Sequence, residues 1–173
     1  MKSKPVRLTN TSYALLALVD QLGEATPYEI KQAMDRSIEN FWPVPHTTAY
    51  EEPARLASGG YMSVQQEEGG RRRKTYALTE EGREALAAWA GDPTWAPPQI
   101  RDETVLKIFA GADPLASLGP RRAWHREKLA ELEGYLGEVH GEKDWRRSEL
   151  ALIAGTAYHR KMLEMLDELD PSV

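Results

Sequence analysis

Apolar residues between Thr9 and Gly23 recur at intervals of three and four positions, which is the periodicity of an amphipathic helix. Thr9 offers a capping oxygen before this stretch and Gly23 can close it, so the pattern predicts a first helix over about 11–22. The segment Thr26–Glu29 has the form of a capping box with proline at the first helical position. It predicts a second helix over about 27–38.

Prolines interrupt the helical pattern at three positions in the next stretch of the chain. Pro43 and Pro45 exclude a regular helix around them, because each lacks an amide hydrogen and disfavours helical geometry in the residue before it. A third helix is predicted over about 47–58, although Pro53 lies inside it. Either the helix is kinked at Pro53, or it begins near Tyr50 and the proline falls in its first turn.

Two segments then alternate between apolar and polar residues, as β-strands do. They cover 61–66 and 74–78 and flank a polar segment with two glycines, so they predict a β-hairpin. The tip of this hairpin carries the only run of four basic residues in the chain, Arg71–Lys74. Thr79 is the expected cap of a fourth helix. Side chains expected to pack in the core of this half include Tyr13, Trp42, Leu86, Ala87 and Trp89.

The second half of the chain follows a proline-rich stretch and shows no strand pattern. Beyond it every apolar pattern is helical, and helices are predicted over about 101–110, 120–139 and 144–169. The last two would be roughly 30 and 39 Å long, so their apolar faces need a partner. An antiparallel pair that extends across a dimer would supply one.

Three helices, a hairpin with a basic tip and a further helix, in this order, describe a winged helix-turn-helix. The predicted fold is therefore mainly α with a small β-hairpin wing. We expect a winged helix-turn-helix DNA-binding domain over 1–91, a proline-rich connection over 92–99, and a long-helix dimerisation and effector domain over 100–173.

Five motifs in the first half occur in the order and spacing of a known family. They are Leu8-Thr9-x-x-Ser12-Tyr13-Ala14-Leu15-Leu16, Tyr28-Glu29-Ile30, Phe41-Trp42-Pro43, Thr48-Ala49-Tyr50-x-x-x-x-Arg55-Leu56 and Gly70-Arg71-Arg72-Arg73-Lys74-Thr75-Tyr76. With these motifs the chain resembles the PadR-like transcriptional regulators, and its helical tail resembles the C-terminal domain of the larger members. The resemblance implies a sequence-specific DNA-binding regulator. It further implies a homodimeric repressor of a pseudo-palindromic operator, released by a small aromatic effector.

The formal net charge of −5 argues against a nucleic-acid partner only if the charge is spread evenly. Residues 1–90 carry 11 basic and 12 acidic side chains, whereas residues 91–173 carry 11 and 15. Most of the excess acid therefore lies in the helices predicted to dimerise. Double-stranded DNA remains the expected partner of the first half, where the basic run lies.

The candidate DNA contacts form three groups. The start of the third helix offers side chains that could reach base edges in the major groove: His46, Thr47, Thr48 and Tyr50. The second helix offers two that would lie over the DNA backbone: Tyr28 and Lys31. The wing offers four that would contact phosphates or a narrow minor groove: Arg71, Arg72, Arg73 and Lys74. The alternatives are a solvated hairpin tip and a packing role for Tyr50.

Three tryptophans could line an aromatic effector pocket at the dimer interface: Trp95, Trp124 and Trp145. Core or interface packing is the competing interpretation of each, because aromatic side chains dominate such contacts. Some relatives of the PadR-like type bind flat aromatic or drug-like effectors, and the resemblance is the ground for considering such a pocket.

Several function classes are excluded by what the sequence lacks. Cysteine is absent, which excludes disulfides and thiolate zinc sites. The four histidines show no paired metal-ligand spacing and no catalytic or nucleotide-binding motif occurs, so neither an enzyme nor a cofactor is expected. No apolar run reaches the roughly 18 residues of a membrane span, and the expected location is the cytoplasm.

Two rival interpretations remain at this point. One is a winged-helix protein-interaction module that has lost DNA binding, although the basic run in the wing is hard to explain without DNA. The other is a regulator of the multiple-antibiotic-resistance type, which is also winged and dimeric. The order of the motifs fits that second class less well.

Overall fold

The structure, a computed structural model, describes residues 6–66, 73–139 and 146–170. The chain divides into two compact units, Met1–Trp95 and Ala96–Val173. The boundary lies within the proline-rich stretch, where every residue from 92 to 99 is exposed.

The first unit consists of short helices around a small sheet. Its helices are α1 (Asn10–Leu22), α2 (Pro27–Arg36), α3 (Thr48–Ser58) and α4 (Glu80–Gly91), with one turn of 3-10 helix at Ile38–Asn40. Its strands are β1 (Glu24–Ala25), β2 (Met62–Gln66) and β3 (Lys74–Leu78). The predicted mainly helical fold with a β-hairpin wing is confirmed.

Threonine caps begin α1, α2 and α4, as the sequence predicts. In the capping box of α2, the Thr26 hydroxyl accepts from the Glu29 amide at 3.3 Å, and the Glu29 carboxylate accepts from the Thr26 amide at 2.8 Å. Thr9 and Ser12 form the corresponding box at α1. The α2 helix ends two residues earlier than expected, and the Ser37 hydroxyl donates to the Ala33 carbonyl at that end.

The sheet has three antiparallel strands in the order β1-β3-β2. The hairpin register places Met62 opposite Leu78, and both side chains are buried. On the other edge of β3, Ala25 of β1 lies opposite Tyr76. Strand β1 was not predicted, because two residues are too few to show an alternating pattern.

Pro53 lies inside α3, which runs through it from Thr48. The alternative in which the helix begins near Tyr50 is therefore wrong. Proline cannot donate the helical hydrogen bond to the carbonyl four residues earlier, so one bond of the ladder is missing at this point. Its ring is fully buried instead, alongside Leu56 and Ala49 on the inner face of α3.

The aromatic side chains expected in this core are only partly inside it. Trp89 is 43% exposed and stacks on the ring of Tyr13, with 4.7 Å between the ring centroids. Trp42 is exposed and its indole N–H donates to the Thr11 hydroxyl at 3.3 Å. Ala87 is also exposed. The core itself is aliphatic, because the helices present mainly leucine, isoleucine and methionine to one another and to the sheet.

The second unit contains a short helix and two long ones. They are α5 (Glu103–Phe109), α6 (Pro114–Val139) and α7 (Arg146–Glu168). The prediction that the second of these begins at Pro120 is wrong, since α6 begins six residues earlier and Pro120 lies exposed within it. Among the described helices, none has the length and apolar character needed to cross a bilayer.

Helices α6 and α7 pack antiparallel, because residues late in α6 contact residues early in α7. Near one end, Arg122 donates to Asp167 at 3.0 Å and to Asp170 at 3.1 Å. Farther along, Gly155 approaches Leu132 so closely that an added Cβ would lie 3.1 Å from a leucine methyl. The antiparallel pairing predicted for the long helices is therefore present within one chain.

Candidate nucleic-acid interface

The threonine side chains at the start of α3 are not needed to cap this helix. The Thr47 hydroxyl makes no cap hydrogen bond, since main-chain carbonyls of the preceding turn accept from the first helical amides. The Thr48 amide donates to the Pro45 carbonyl at 2.9 Å, and the Glu51 amide donates to the Thr47 carbonyl at 3.0 Å. Thr47 is exposed and Thr48 is half-buried. Their hydroxyls are therefore not needed to begin the helix.

Tyr50 and His46 flank these threonines. Tyr50 is 51% exposed, which leaves much of its ring accessible, whereas the next residue back, Ala49, is fully buried. His46 is also exposed, and its Nδ1 lies 3.8 Å from Oδ1 of Asp35 on α2. The turn and the start of α3 thus present one aromatic, one imidazole and two hydroxyl side chains from neighbouring positions.

The second helix contributes Tyr28 and Lys31. Tyr28 is exposed, and its hydroxyl accepts a hydrogen bond from the Gln32 side chain at 3.1 Å. The Lys31 ammonium donates to Asp35 Oδ2 at 2.6 Å. This hydrogen bond raises the pKa of Lys31 above its ordinary value, and the negative charges of Asp35 and Glu39 raise it further. Asp35 therefore lies between Lys31 and His46, with one carboxylate oxygen toward each.

Two of the four wing residues can be placed. Arg73 and Lys74 are exposed at the start of β3, whereas Arg71 and Arg72 lie outside the described residues. The pKa of Glu29 is lowered mainly by its hydrogen bonds from Thr26, and the charge of Arg73 adds to this. Arg73 therefore lies close enough to the start of α2 for its charge to be felt there.

One acidic residue of α3, Glu52, is paired with an arginine of the same helix. Glu52 accepts from the Arg55 guanidinium through both carboxylate oxygens, and Arg55 also donates to Ser12 Oγ at 2.9 Å and to the Arg7 carbonyl at 3.0 Å. Burial alone would raise the pKa of Glu52, but the hydrogen bonds from Arg55 and Ser12 outweigh it and lower the pKa. Arg55 thus ties α3 to α1, a role that the sequence did not suggest.

The proposed tryptophan pocket is only partly described. Trp95 is 79% exposed and ends the first unit, while Trp124 belongs to α6 of the second. Trp145 lies outside the described residues. The pocket therefore stays a prediction.

Beside Trp124 lies a feature that the sequence analysis missed. His125 and His159 are 1% and 2% exposed, and their Nδ1 atoms are 2.8 Å apart. The Trp124 ring centroid is 4.8 Å from that of His125 and 5.5 Å from that of His159. The two histidines are 34 positions apart on different helices, so no local spacing could reveal the pair. Among the described residues, no group of three or more side chains could hold a metal ion.

The pKa of His125 is lowered to about 4, first by burial and then by the charges of His159 and Arg121, against an opposing effect of Asp102. Arg121 pairs with Asp102 and points its Nε toward His125 Nε2 at 3.4 Å. Burial, followed by the charge of Lys128, also lowers the pKa of His159. Both imidazoles therefore favour the neutral form in the folded chain.

Three helices, a β-hairpin wing and a fourth helix in this order, with exposed side chains at the start of the third helix, define a winged helix-turn-helix protein of the DNA-binding class. Residues 15–88 match the family model described as "Transcriptional regulator PadR-like family". Most of the first unit of the chain therefore matches this family of transcriptional regulators.

Among curated proteins, the chain is similar to the negative transcriptional regulator PadR of Bacillus subtilis (strain 168). The two are 28% identical over 99 residues, which are 56% of this chain and 54% of that protein. The alignment thus spans about half the length of this relative.

Solved structures extend the likeness in fold to nearly the whole chain. Bacillus subtilis PadR in complex with operator DNA has a TM-score of 0.79 at 20% identity, covering 95% of this chain and 98% of that one. The Vibrio cholerae virulence activator AphA has a TM-score of 0.71 at 24% identity, covering 92% and 95%. A structure of Bacillus subtilis PadR with p-coumaric acid also matches, with a TM-score of 0.71 at 20% identity over 94% and 96% of the two chains.

Proposed function

We propose that this protein is a homodimeric repressor that binds a pseudo-palindromic operator through two winged helix-turn-helix units and works in the cytoplasm. The observation that carries the proposal is the group of exposed or half-exposed side chains at the start of α3, together with the exposed residues Arg73 and Lys74 near the tip of the wing. A relative with the same fold over 95% of this chain has been solved on operator DNA. In this proposal residues 1–91 bind DNA, 92–99 connect, and 100–173 dimerise and bind the effector.

The proposed contacts are divided by the chemistry of their side chains. Base edges would be read by Thr47, Thr48 and Tyr50, with His46 beside them, because hydroxyl, phenol and imidazole groups can donate to or accept from bases. Tyr28 and Lys31 would lie on the phosphate backbone. The wing residues Arg71, Arg72, Arg73 and Lys74 would contact phosphates or enter a narrow minor groove.

A second copy of the chain is the proposed partner of the helical unit. Phe109 is 86% exposed, and Ile100 and Leu106 are also exposed on or beside α5. Such side chains favour contact with an apolar surface, since each would bury area that water now covers. A two-fold dimer would present its recognition helices about one DNA turn apart, or a multiple of it, which is why the operator should be pseudo-palindromic.

The proposed effector is a small aromatic acid, for which the relative solved with p-coumaric acid is the support. Trp124 offers a partly exposed ring beside the histidine pair, and Trp95 and Trp145 are the other candidate lining residues. Release from DNA would follow if the acid bound more tightly to a dimer whose recognition helices no longer match the operator spacing.

A gel-shift titration with the DNA immediately upstream of the coding sequence tests the proposal. We expect a shift that weakens steeply with added salt, because released counterions drive much of the binding. The variant Arg72→Ala should lower the salt slope by about one. Arg83→Ala is the matched control. Arg83 lies on α4, which follows the hairpin at the end away from its tip, and it pairs with Glu80 of the same helix.

The outcomes separate the proposal from its rival. Absence of any shift at low salt would favour the protein-interaction module without DNA binding. An unchanged affinity and salt slope in Arg72→Ala would remove the wing from the interface. Sedimentation of the protein alone at several concentrations tests the dimer, and the addition of p-coumaric acid to the bound complex tests the release.

A further inference from the structure

Asp35 lies among the candidate DNA contacts, although its charge has the wrong sign for them. Asp35 lies in the last turn of α2, and its side chain is 36% exposed. One carboxylate oxygen accepts from the Lys31 ammonium at 2.6 Å, and the other lies 3.8 Å from His46 Nδ1. A negative side chain at this position should repel phosphate unless it performs some other task.

The oxygen that faces His46 is a buried atom with no hydrogen-bond partner in the described part of the chain. A buried acceptor without a donor costs free energy, and carboxylate oxygens strongly prefer donors. The imidazole Nδ1 of His46 lies 3.8 Å from this oxygen, which is too far for a hydrogen bond but within reach of a small movement of the exposed ring. One oxygen of the Asp35 carboxylate is therefore paired with the Lys31 ammonium, while the other has no hydrogen-bond donor among the described residues.

We propose that Asp35 is a positioning residue for DNA recognition, which fixes the Lys31 ammonium with one oxygen and accepts a hydrogen bond from His46 with the other when the protein binds DNA. The inference rests on the proposed function, because it assumes that Lys31 and His46 face DNA. Held in this way, the lysine loses little conformational freedom on binding. The histidine ring is oriented by Nδ1 and leaves Nε2 for phosphate or a base edge.

A simpler role would be an exposed lysine–aspartate pair one helical turn apart that stabilises α2. Such pairs contribute little to helix stability. The two roles differ in sign for DNA affinity. If Asp35 only stabilises the helix, its neutralisation removes a repulsive charge and DNA binding tightens. If Asp35 positions Lys31 and His46, its neutralisation weakens binding in spite of the more favourable charge.

The test is a set of affinity measurements on a duplex that the unaltered protein selects from a random pool, with a shuffled duplex for comparison. We expect Asp35→Asn to bind the selected duplex about threefold to tenfold more weakly, as loss of pre-organisation in one or two side chains predicts. Glu39→Gln is the matched control. It removes the same charge near Lys31, on which Glu39 acts through its charge and not through a hydrogen bond. It should leave affinity unchanged or tighten it slightly.

Two further variants separate positioning from folding. Asp35→Glu keeps a charged acceptor one turn from Lys31 and should restore most of the affinity. In a Lys31→Met background, Asp35→Asn should lose much less affinity than it does alone, because one of its two partners is gone. Thermal unfolding of each variant measures stability directly.

Each outcome has a consequence. Tighter binding by Asp35→Asn, or a loss of the same size with and without Lys31, overturns the inference while the proposed function stands. Failure of the unaltered protein to select any duplex overturns the proposed function and this inference with it.

Discussion

The interiors of the two units are built from different kinds of side chain. In the first unit the buried residues of the described chain are almost entirely aliphatic, and Ser12 is the one buried residue among them that is classed as polar. In the second unit His125, His159, Thr156 and Glu149 are buried along with leucines. The buried titratable side chain in the described part of the first unit is Tyr76, whose pKa burial raises above its ordinary value of 10.0, whereas imidazoles take up protons near neutral pH. We therefore expect the stability of the first unit to depend mainly on substitutions that change side-chain volume. The stability of the second unit should depend mainly on pH.

The largest effect is expected where the first unit has least room. A Cβ at Gly82 would overlap the carbonyl oxygen of Tyr61, which also accepts from the Thr79 amide. Because backbone cannot move aside as a side chain can, Gly82→Ala should lower the free energy of unfolding by about 3 kcal/mol. Urea unfolding followed by circular dichroism measures it. Gly91→Ala is the control, since it lies on the same helix with nothing within 4 Å. Similar stabilities for the two variants would contradict a tightly packed first unit.

Acid should act next, and on the second unit. The folded pKa of His125, about 4, lies below its ordinary value of 6.5, so the unfolded chain takes up protons first as the pH falls. Stability is therefore full above about pH 6.5 and is lost on the way down toward about pH 4, with about 2 kcal/mol lost by pH 5. The lowered pKa of His159 acts in the same direction.

Amide hydrogen exchange in α6 and α7, compared between about pH 6.5 and pH 5 after correction for the intrinsic rate, measures this loss. The range lies above that in which carboxylates of lowered pKa, such as Asp102 and Glu52, take up protons. His125→Gln should flatten the dependence. An unchanged pH profile in that variant would show that the buried pair is not the source.

A smaller effect is expected at the cap of α2. Thr26→Ala removes the hydroxyl that accepts from the Glu29 amide and donates to the Glu29 carboxylate. We expect a loss of about 1 kcal/mol in the free energy of unfolding, the usual cost of an N-cap threonine. Thr26→Ser keeps the hydroxyl and should retain most of the stability. Equal losses in the two variants would assign the effect to the threonine methyl group instead of the cap.

The same division explains what could be predicted from the sequence. Caps, helix periods and the hairpin of the first unit depend on residues a few positions apart, and Thr9, Thr26 and Thr79 were all identified. Strand β1 is too short for a pattern, and the early start of α6 was hidden because proline at 120 looked like a first helical residue. Strand β1 depends on its pairing with β3, whereas the start of α6 carries a local signal that was missed, since Asp113 precedes Pro114 and accepts from the Leu115 amide at 3.1 Å.

The candidate site divides in the same way. The motif order placed the start of α3 and the wing on one unit, because the fold follows from the order of the elements. It could not show that Asp35 also faces His46, or that Arg55 reaches Ser12 and the Arg7 carbonyl. The pair His125 and His159 depends on the crossing of two long helices and has no sequence signature. Interactions across elements are therefore the part that required the structure.

The smallest effect is expected at Gly155, the counterpart of Gly82 in the second unit. An added Cβ would lie 3.1 Å from a methyl group of Leu132, which is the end of a flexible side chain and can shift by a few tenths of an ångström. Alanine gains up to about 1 kcal/mol over glycine inside a helix, so gain and crowding should nearly cancel. We expect Gly155→Ala to change the free energy of unfolding by less than about 0.5 kcal/mol. In a Leu132→Val background, which makes room, the same substitution should stabilise the chain relative to that background. If Gly155→Ala proved as costly as Gly82→Ala, the contact between α6 and α7 would be as unyielding as the backbone contact in the first unit, and shape would limit both units alike.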